Sequence, residues 1–83
     1  MQLLFSHAAQ QDRKYLSPDV EKRIIEKLDQ YRRAPNPFAF AKRLHDDPEG
    51  THRFQIGDWR TKFFVKKDVI VITRIRHRSN AYR

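Results

Sequence analysis

HRFQIGDWRTKFFVKKDVIVITRIRH, residues 52–77, reads with a period of two. Aromatic and β-branched residues dominate it, and two short breaks, Gly57-Asp58 and Lys66-Lys67-Asp68, divide it into His52–Ile56, Trp59–Val65 and Val69–Arg76. This composition and spacing predict three strands joined by tight turns, hence an antiparallel meander. Successive side chains of a strand point to opposite faces, so Phe54, Ile56, Thr61, Phe63 and Val65 share one side. Arg53, Gln55, Arg60, Lys62, Arg74 and Arg76 share the other. The first set is an expected core face. The second is an expected open face, with five cations among its six residues and no acid. Like charges crowded there repel one another, which predicts an anionic ligand.

Working outward, Asp46-Asp47-Pro48-Glu49-Gly50 reads as a loop, and Phe38–Leu44 fits either a short helical turn or an extended piece. Pro35-Asn36-Pro37 enforces a turn. Before it the period becomes helical: Val20, Ile24, Leu28 and Tyr31 share a stripe that Ile25 widens. Lys22–Glu26 and Asp29–Arg33 are i,i+4 pairs on the wet side. Ser17-Pro18-Asp19 starts this helix, with Ser17 as cap, Pro18 at the tolerated first position and Asp19 near the positive helix end. Ser6 is positioned to cap an earlier helix running through about Leu16, and Met1–Phe5 reads as a first strand. The expected fold is α+β: an N-terminal helical pair packed on a small antiparallel sheet, in the order β-α-α-β-β-β. Eighty-three residues are expected to form one domain, 1–83, with a thin core.

The net charge is +8, from 18 Lys+Arg against 10 Asp+Glu. It is concentrated in the second half: residues 42–83 hold eleven basic and five acidic side chains, residues 1–41 seven and five. Arg74 to Arg83 carries four Arg and no acid, which points to a polyanionic partner. With no cysteine, neither a disulfide framework nor a thiolate metal site is available. The N-terminal apolar run is too short for a signal peptide, and no apolar stretch approaches ~18 residues. A cytoplasmic protein without membrane association is the expectation.

Several chemistries find no support in the spacing. His7, His45, His52 and His77 form no HxxxH or HExxH pair, and Asp46-Asp47 adjoin in a loop and point apart, so no metal site is expected. No Gly-rich phosphate loop occurs, and no cofactor is expected. Phosphoryl chemistry on RNA needs less, since the nucleophile is the substrate's own 2′-OH. The protein must orient it, neutralise charge growing on the phosphate and move protons. The segment RIRHRSNAYR, residues 74–83, holds cations, an imidazole and a ring able to stack on an unpaired base.

The order Phe5-Ser6…Ala9, VEKRIIEKL at 20–28, Pro37-Phe38 with AKRL at 41–44, HRFQIGDWR at 52–60 and VIVITRIRHRS at 69–79 followed by Tyr82 resembles the RelE/ParE toxin superfamily, over essentially the whole chain. The resemblance implies a toxin of a type II toxin–antitoxin pair, with a cognate antitoxin protein as partner. In the RelE branch such toxins cut mRNA in the ribosomal A site and leave a 2′,3′-cyclic phosphate. In the ParE branch they poison DNA gyrase and have lost the nuclease residues. By resemblance, Arg60 matches the arginine on the scissile phosphate and Arg76 the arginine acting as general acid or transition-state clamp. Tyr82 matches the tyrosine that stacks on the base, and Arg53 one of two lysines on the neighbouring strand. Gln55 occupies the second lysine position and cannot serve as a base. Lys62 stands where relatives commonly carry an aliphatic residue and is a source of replacement charge. Arg74, His77 and Arg78 complete the expected substrate-binding set.

Structural alternatives stand beside these roles. Arg60 can close a hairpin with Asp58, Tyr82 can pack on the helices, and His77, which alternation aims away from Arg76, can cap the edge of the core. Arg76 with Tyr82 favours a ribosome-dependent mRNA endoribonuclease whose partners are ribosome, mRNA and antitoxin. Gln55 favours the alternative of a ParE-like gyrase inhibitor or a nuclease-dead nucleic-acid-binding relative.

Overall fold

The helical stripe and its cap behave as their chemistry requires. Ser17 accepts a hydrogen bond from the Val20 N–H, Pro18 occupies the first turn, and the helix runs Pro18–Arg33 with Ile24 and Leu28 buried. In this computed structural model, which describes residues 1–80, that helix is α2. It follows β1 (Gln2–Phe5) and α1 (His7–Lys14), the latter capped by the Ser6 hydroxyl on the Ala9 N–H. The segment whose reading was open does both things: Pro37–Phe40 is a 3-10 turn and Ala41–Arg43 is a short strand, β2. Then come β3 (His52–Ile56), β4 (Trp59–Lys66) and β5 (Val69–His77).

The three-stranded meander is present, within a larger sheet ordered β1-β5-β4-β3-β2. The neighbours from β2 to β5 are antiparallel, but β1 runs parallel to β5, from Gln2↔Val69 to Phe5↔Ile72. The sheet is therefore mixed, which corrects the all-antiparallel expectation. Tight turns dictate antiparallel pairing, whereas β1 and β5 are separated in the chain by two helices and three strands and are free of that constraint. Gly57, at φ +58°, supplies the left-handed residue of the two-residue β3–β4 turn.

A bulge shapes β5. Lys62 pairs with Arg74 but Phe63 pairs with Ile72, leaving Thr73 as the extra residue. Strict alternation would put Ile72 and Ile75 on opposite faces; the bulge returns both to the core. That core is centred on Phe54 and Phe63, whose stacked rings lie 4.3 Å apart, with Ile24, Leu28, Ile70 and Ile72 around them. β1 ends opposite Ile72, and α1 covers the rest of that edge. The Ser6 N–H donates to the Ile72 carbonyl at 2.8 Å, the Ser6 hydroxyl to the Thr73 carbonyl at 3.1 Å, and the Ile75 N–H to Asp12 at 2.8 Å. Edge groups that a strand would have satisfied are thus satisfied by the cap residue Ser6, through backbone and side chain, and by Asp12 of α1. Among the described residues no helix is long and apolar enough to cross a membrane.

Candidate functional site: a cation cluster on the outer sheet face

Cross-strand register builds the site in two rows. Gln55 pairs with Arg60 and Arg60 with Arg76; in the next row Arg53 pairs with Lys62 and Lys62 with Arg74. Residues two apart on a strand share a face, so all six lie on the sheet face opposite the core, as the alternation predicts.

The face is neither free of acid nor open, however, and this corrects the expectation. The loop between β2 and β3 folds over it. Asp46 takes a left-handed φ of 53°, a conformation that Asp tolerates. The Leu44 N–H donates to the Thr51 carbonyl and the Thr51 N–H to the Phe63 carbonyl, at 2.9 and 3.0 Å. Gly50 lies so close to β4 that a Cβ there would stand 2.9 Å from the Phe63 carbonyl oxygen. The bulge residue Thr73 donates its hydroxyl to the Glu49 carbonyl. These contacts deliver two carboxylates onto the cations. Glu49 receives Arg76 through both oxygens, Nη1–Oε1 at 2.6 Å and Nη2–Oε2 at 2.7 Å. Lys62 Nζ reaches Oε1 at 3.0 Å and Arg74 Nη1 reaches Oε2 at 3.3 Å.

Each remaining cation has its own surroundings. Lys62, only 8% exposed, also pairs with Asp47 at 2.8 Å, so it is compensated rather than a free replacement charge. Arg74 forks onto Asp12, Nε–Oδ2 at 2.9 Å and Nη2–Oδ1 at 3.0 Å. Arg60 is buried and donates Nη1 to the carbonyls of Gly57 and Trp59, at 2.9 and 3.2 Å. It closes the hairpin through backbone oxygens, not through Asp58. Its Nε is buried with no acceptor among the described residues. Arg53 is half-buried in its row.

Two expected members lie elsewhere. His77 sits on the core side as register partner of Trp59, with the rings edge to face at 5.3 Å, and its Nδ1 is 3.0 Å from the Ser79 hydroxyl. Arg78 is exposed, with its Nε 3.7 Å from Asp58. Tyr82 lies outside the described residues. Beside Arg76 a cleft of about 220 Å³ opens between α1 and the end of β5, bounded by Asp12, Tyr15, Trp59 and His77. Tyr15 stands at its rim, 89% exposed.

Asp12, Asp47 and Glu49 are the site residues that sequence reasoning missed. A signal existed: cations taken partly out of water need counter-charges, and the acid-rich loop next to β3 was the nearest source. Among the described residues no group of three or more His, Cys, Asp or Glu is arranged to hold a metal. What the rows can do is hold an oxyanion in a fork of guanidinium and ammonium donors.

The hydrogen bonds from Arg76, and secondarily Lys62, hold the Glu49 carboxyl at about 2 against an ordinary value of 4.5, despite the opposing effect of burial. A hydrogen bond from Lys62 lowers Asp47 in the same way. A carboxylate whose pKa is depressed by folding stabilises the fold above its ordinary pKa, and that contribution is lost as pH falls toward the folded value. The melting temperature is therefore expected to be level above about pH 5 and to drop as pH falls from 4.5 toward about 2. Glu49→Gln should lower the neutral-pH melting temperature and shrink that acid drop. An acid limb of equal size in the variant would show that other carboxyls cause it.

The sequence model of the family described as ParE toxin of type II toxin–antitoxin system, parDE, matches residues 3–82. No curated protein matches the chain. Among solved structures, a chain of the toxin–antitoxin complex RelBE2 from Mycobacterium tuberculosis is similar, with 23% identity and a TM-score of 0.78 over 95% of this chain and 92% of that one. A chain of the RelB-RelE antitoxin–toxin complex from Methanococcus jannaschii has 21% identity and a TM-score of 0.73, over 95% of this chain and 94% of that one. A chain of the intact E. coli RelBE complex has 19% identity and a TM-score of 0.71, over 92% and 94%. At these identities the likeness establishes the fold, α+β with two helices on a five-stranded mixed sheet. Since the family match spans nearly every residue from 3 to 82, the chain belongs to the ParE toxin family of type II toxin–antitoxin systems, within the RelE/ParE superfamily.

Proposed function

We propose that this toxin is a ribosome-dependent endoribonuclease that cuts mRNA by transphosphorylation. The substrate 2′-oxygen attacks the adjacent phosphorus, the bond to the 5′-oxygen breaks, and the products are a 2′,3′-cyclic phosphate and a 5′-hydroxyl. The observation that carries this reading is the row in which Arg60 and Arg76 are direct cross-strand partners, with Lys62 and Arg74 in the row beside them. Guanidinium groups side by side on a rigid sheet are suited to the charge that grows on a phosphate in the transition state. Arg76 is assigned the clamp on the scissile phosphate and Arg60 its neighbouring support. Lys62 and Arg74 stand beside Arg76 as further cations, Arg53 and Arg78 hold the flanking strand electrostatically and Tyr82 stacks on the base, while His77 is left to the core side. The protein acts in the cytoplasm, and a cognate antitoxin holds it inactive, as the complexes named above pair RelE with RelB.

The test is incubation with translating ribosomes followed by mapping of mRNA ends. Discrete cuts in A-site codons are expected. Intact mRNA together with inhibited gyrase supercoiling would replace this reading by a second one, a gyrase inhibitor. Gln55 in the cation row and the ParE description of the matched family favour that second reading.

Binding to ribosomes should also weaken steeply with salt, because each phosphate contact releases counterions. Between about 50 and 200 mM salt a protein making several such contacts loses orders of magnitude in affinity. An affinity that is flat over this range would remove the electrostatic basis of the assignment.

A further inference from the structure

Glu49 does something unusual for a surface-loop acid. Each of its oxygens receives two cationic donors, Oε1 from Arg76 and Lys62 and Oε2 from Arg76 and Arg74. Two oxygens on one centre, gripped by a guanidinium fork and flanked by further cations, are also what a phosphodiester presents with its non-bridging oxygens. We propose that Lys62, Arg74 and Arg76 form a phosphate cradle in which the Glu49 carboxylate is a resident counter-ion that the substrate phosphate must displace. The identity of that phosphate rests on the RNA reading above; the cradle itself does not.

The surrounding contacts make the exchange feasible. The loop backbone at Glu49 and Gly50 is pinned by the Thr73 hydroxyl and by close packing on Phe63, so the carboxylate leaves by side-chain rotation alone. The Glu49 side chain is 29% exposed, so an incoming anion reaches it from solvent. Once it has left, two cations keep their positions: Lys62 remains on Asp47 and Arg74 on Asp12. Arg76 differs, because among the described residues Glu49 is its ion-pair partner. Displacement therefore frees the guanidinium that the proposed reaction needs and leaves its supports in place. Until then Glu49 holds the fork in a productive shape and screens it from weaker anions. Substrate selection follows, since an isolated anion must compete with a carboxylate held at intramolecular concentration.

The experiment compares the parent with Glu49→Gln, Glu49→Asp and Glu26→Gln. Glu26 is an exposed acid on α2, so its substitution changes net charge without touching the cradle. Glu49→Asp keeps the charge but shortens the reach by one methylene. Two probes are titrated: a 2′-O-methyl oligoribonucleotide, which cannot be cleaved, by fluorescence anisotropy, and inorganic pyrophosphate by calorimetry. Melting curves serve as the folding control. Glu49→Gln should bind both probes about tenfold more tightly, near the low end of what a charge-assisted hydrogen bond contributes. Its RNA affinity should fall more steeply with salt, by about one counterion. Glu49→Asp should gain less than Glu49→Gln but clearly more than Glu26→Gln. If Glu49→Gln gains no more than Glu26→Gln on both probes, Glu49 is a structural ion pair and the inference is overturned, whatever the cleavage assay shows. If Glu49→Gln melts below the assay temperature, Glu49→Asp decides alone, and no gain there overturns it equally. A gain for pyrophosphate without one for the oligoribonucleotide supports the cradle and removes RNA as its ligand.

Discussion

Arg76→Ala is expected to lower single-turnover cleavage of ribosome-bound mRNA by about 10²–10³, the effect of removing one preorganised donor from a developing oxyanion. Arg76 is the cross-strand partner of Arg60 on the outer face, and its guanidinium makes a two-point contact with a carboxylate, a geometry that a phosphate can adopt in turn. Ribosome binding should fall much less, since one cation among many is removed. The fold should survive, because Arg76 lies on the outer face of the sheet while the core is built on the other. Glu49 is not stranded in the variant either, as Lys62 and Arg74 still reach it. Arg76→Lys should recover only part of the rate, since an ammonium is a point charge and cannot reproduce the planar fork. Cleavage is followed on A-site mRNA, with circular dichroism to verify folding. A folded Arg76→Ala protein that cuts at the parental rate would take Arg76 out of the site.

The second large effect concerns stability. Phe63→Ala should destabilise the protein by about 3–5 kcal/mol, the usual range for deleting a buried phenyl ring. Phe63 is fully buried, stacks on Phe54 at 4.3 Å and lies 5.7 Å from the His52 ring. Domains of this kind are typically stable by about 5–15 kcal/mol, and short chains sit toward the lower end, so the variant should be largely unfolded near 37 °C. A looser site is a second consequence. The Phe63 carbonyl accepts the Thr51 N–H, and Gly50 packs on its backbone, so the loop that carries Asp47 and Glu49 is referenced to this residue. Urea titration is the measurement, and Phe63→Leu, which keeps much of the volume, should lose distinctly less. A loss below about 1 kcal/mol for Phe63→Ala would mean that the site collapses around the missing ring and that the core is not anchored there.

Local pattern was enough for the elements themselves. The caps at Ser6 and Ser17, the stripe through Ile24 and Leu28, the three C-terminal strands and the identity of the outward residues all follow from interactions within a few positions of the chain. They are written in helical period, strand alternation and turn chemistry. The family motifs around Gly57-Asp58 and Arg76-His77 were legible for the same reason: each is a short contiguous run.

Tertiary structure alone decided what joined distant positions. β1 lies parallel to β5 because no tight turn links them, and no residue of either strand encodes that direction. The bulge at Thr73, which keeps Ile72 and Ile75 together in the core, is invisible to a strict two-residue period. Most consequential was the charge of the outer face. Alternation placed five cations there correctly, yet whether they meet water or carboxylates depends on a loop and a helix. Asp47 and Glu49 arrive from the turn before β3, and Asp12 arrives from α1, 62 residues before Arg74. Charges interact through space and not along the chain, so the sequence determined which cations share the outer face, and the fold determined which of their charges are already answered.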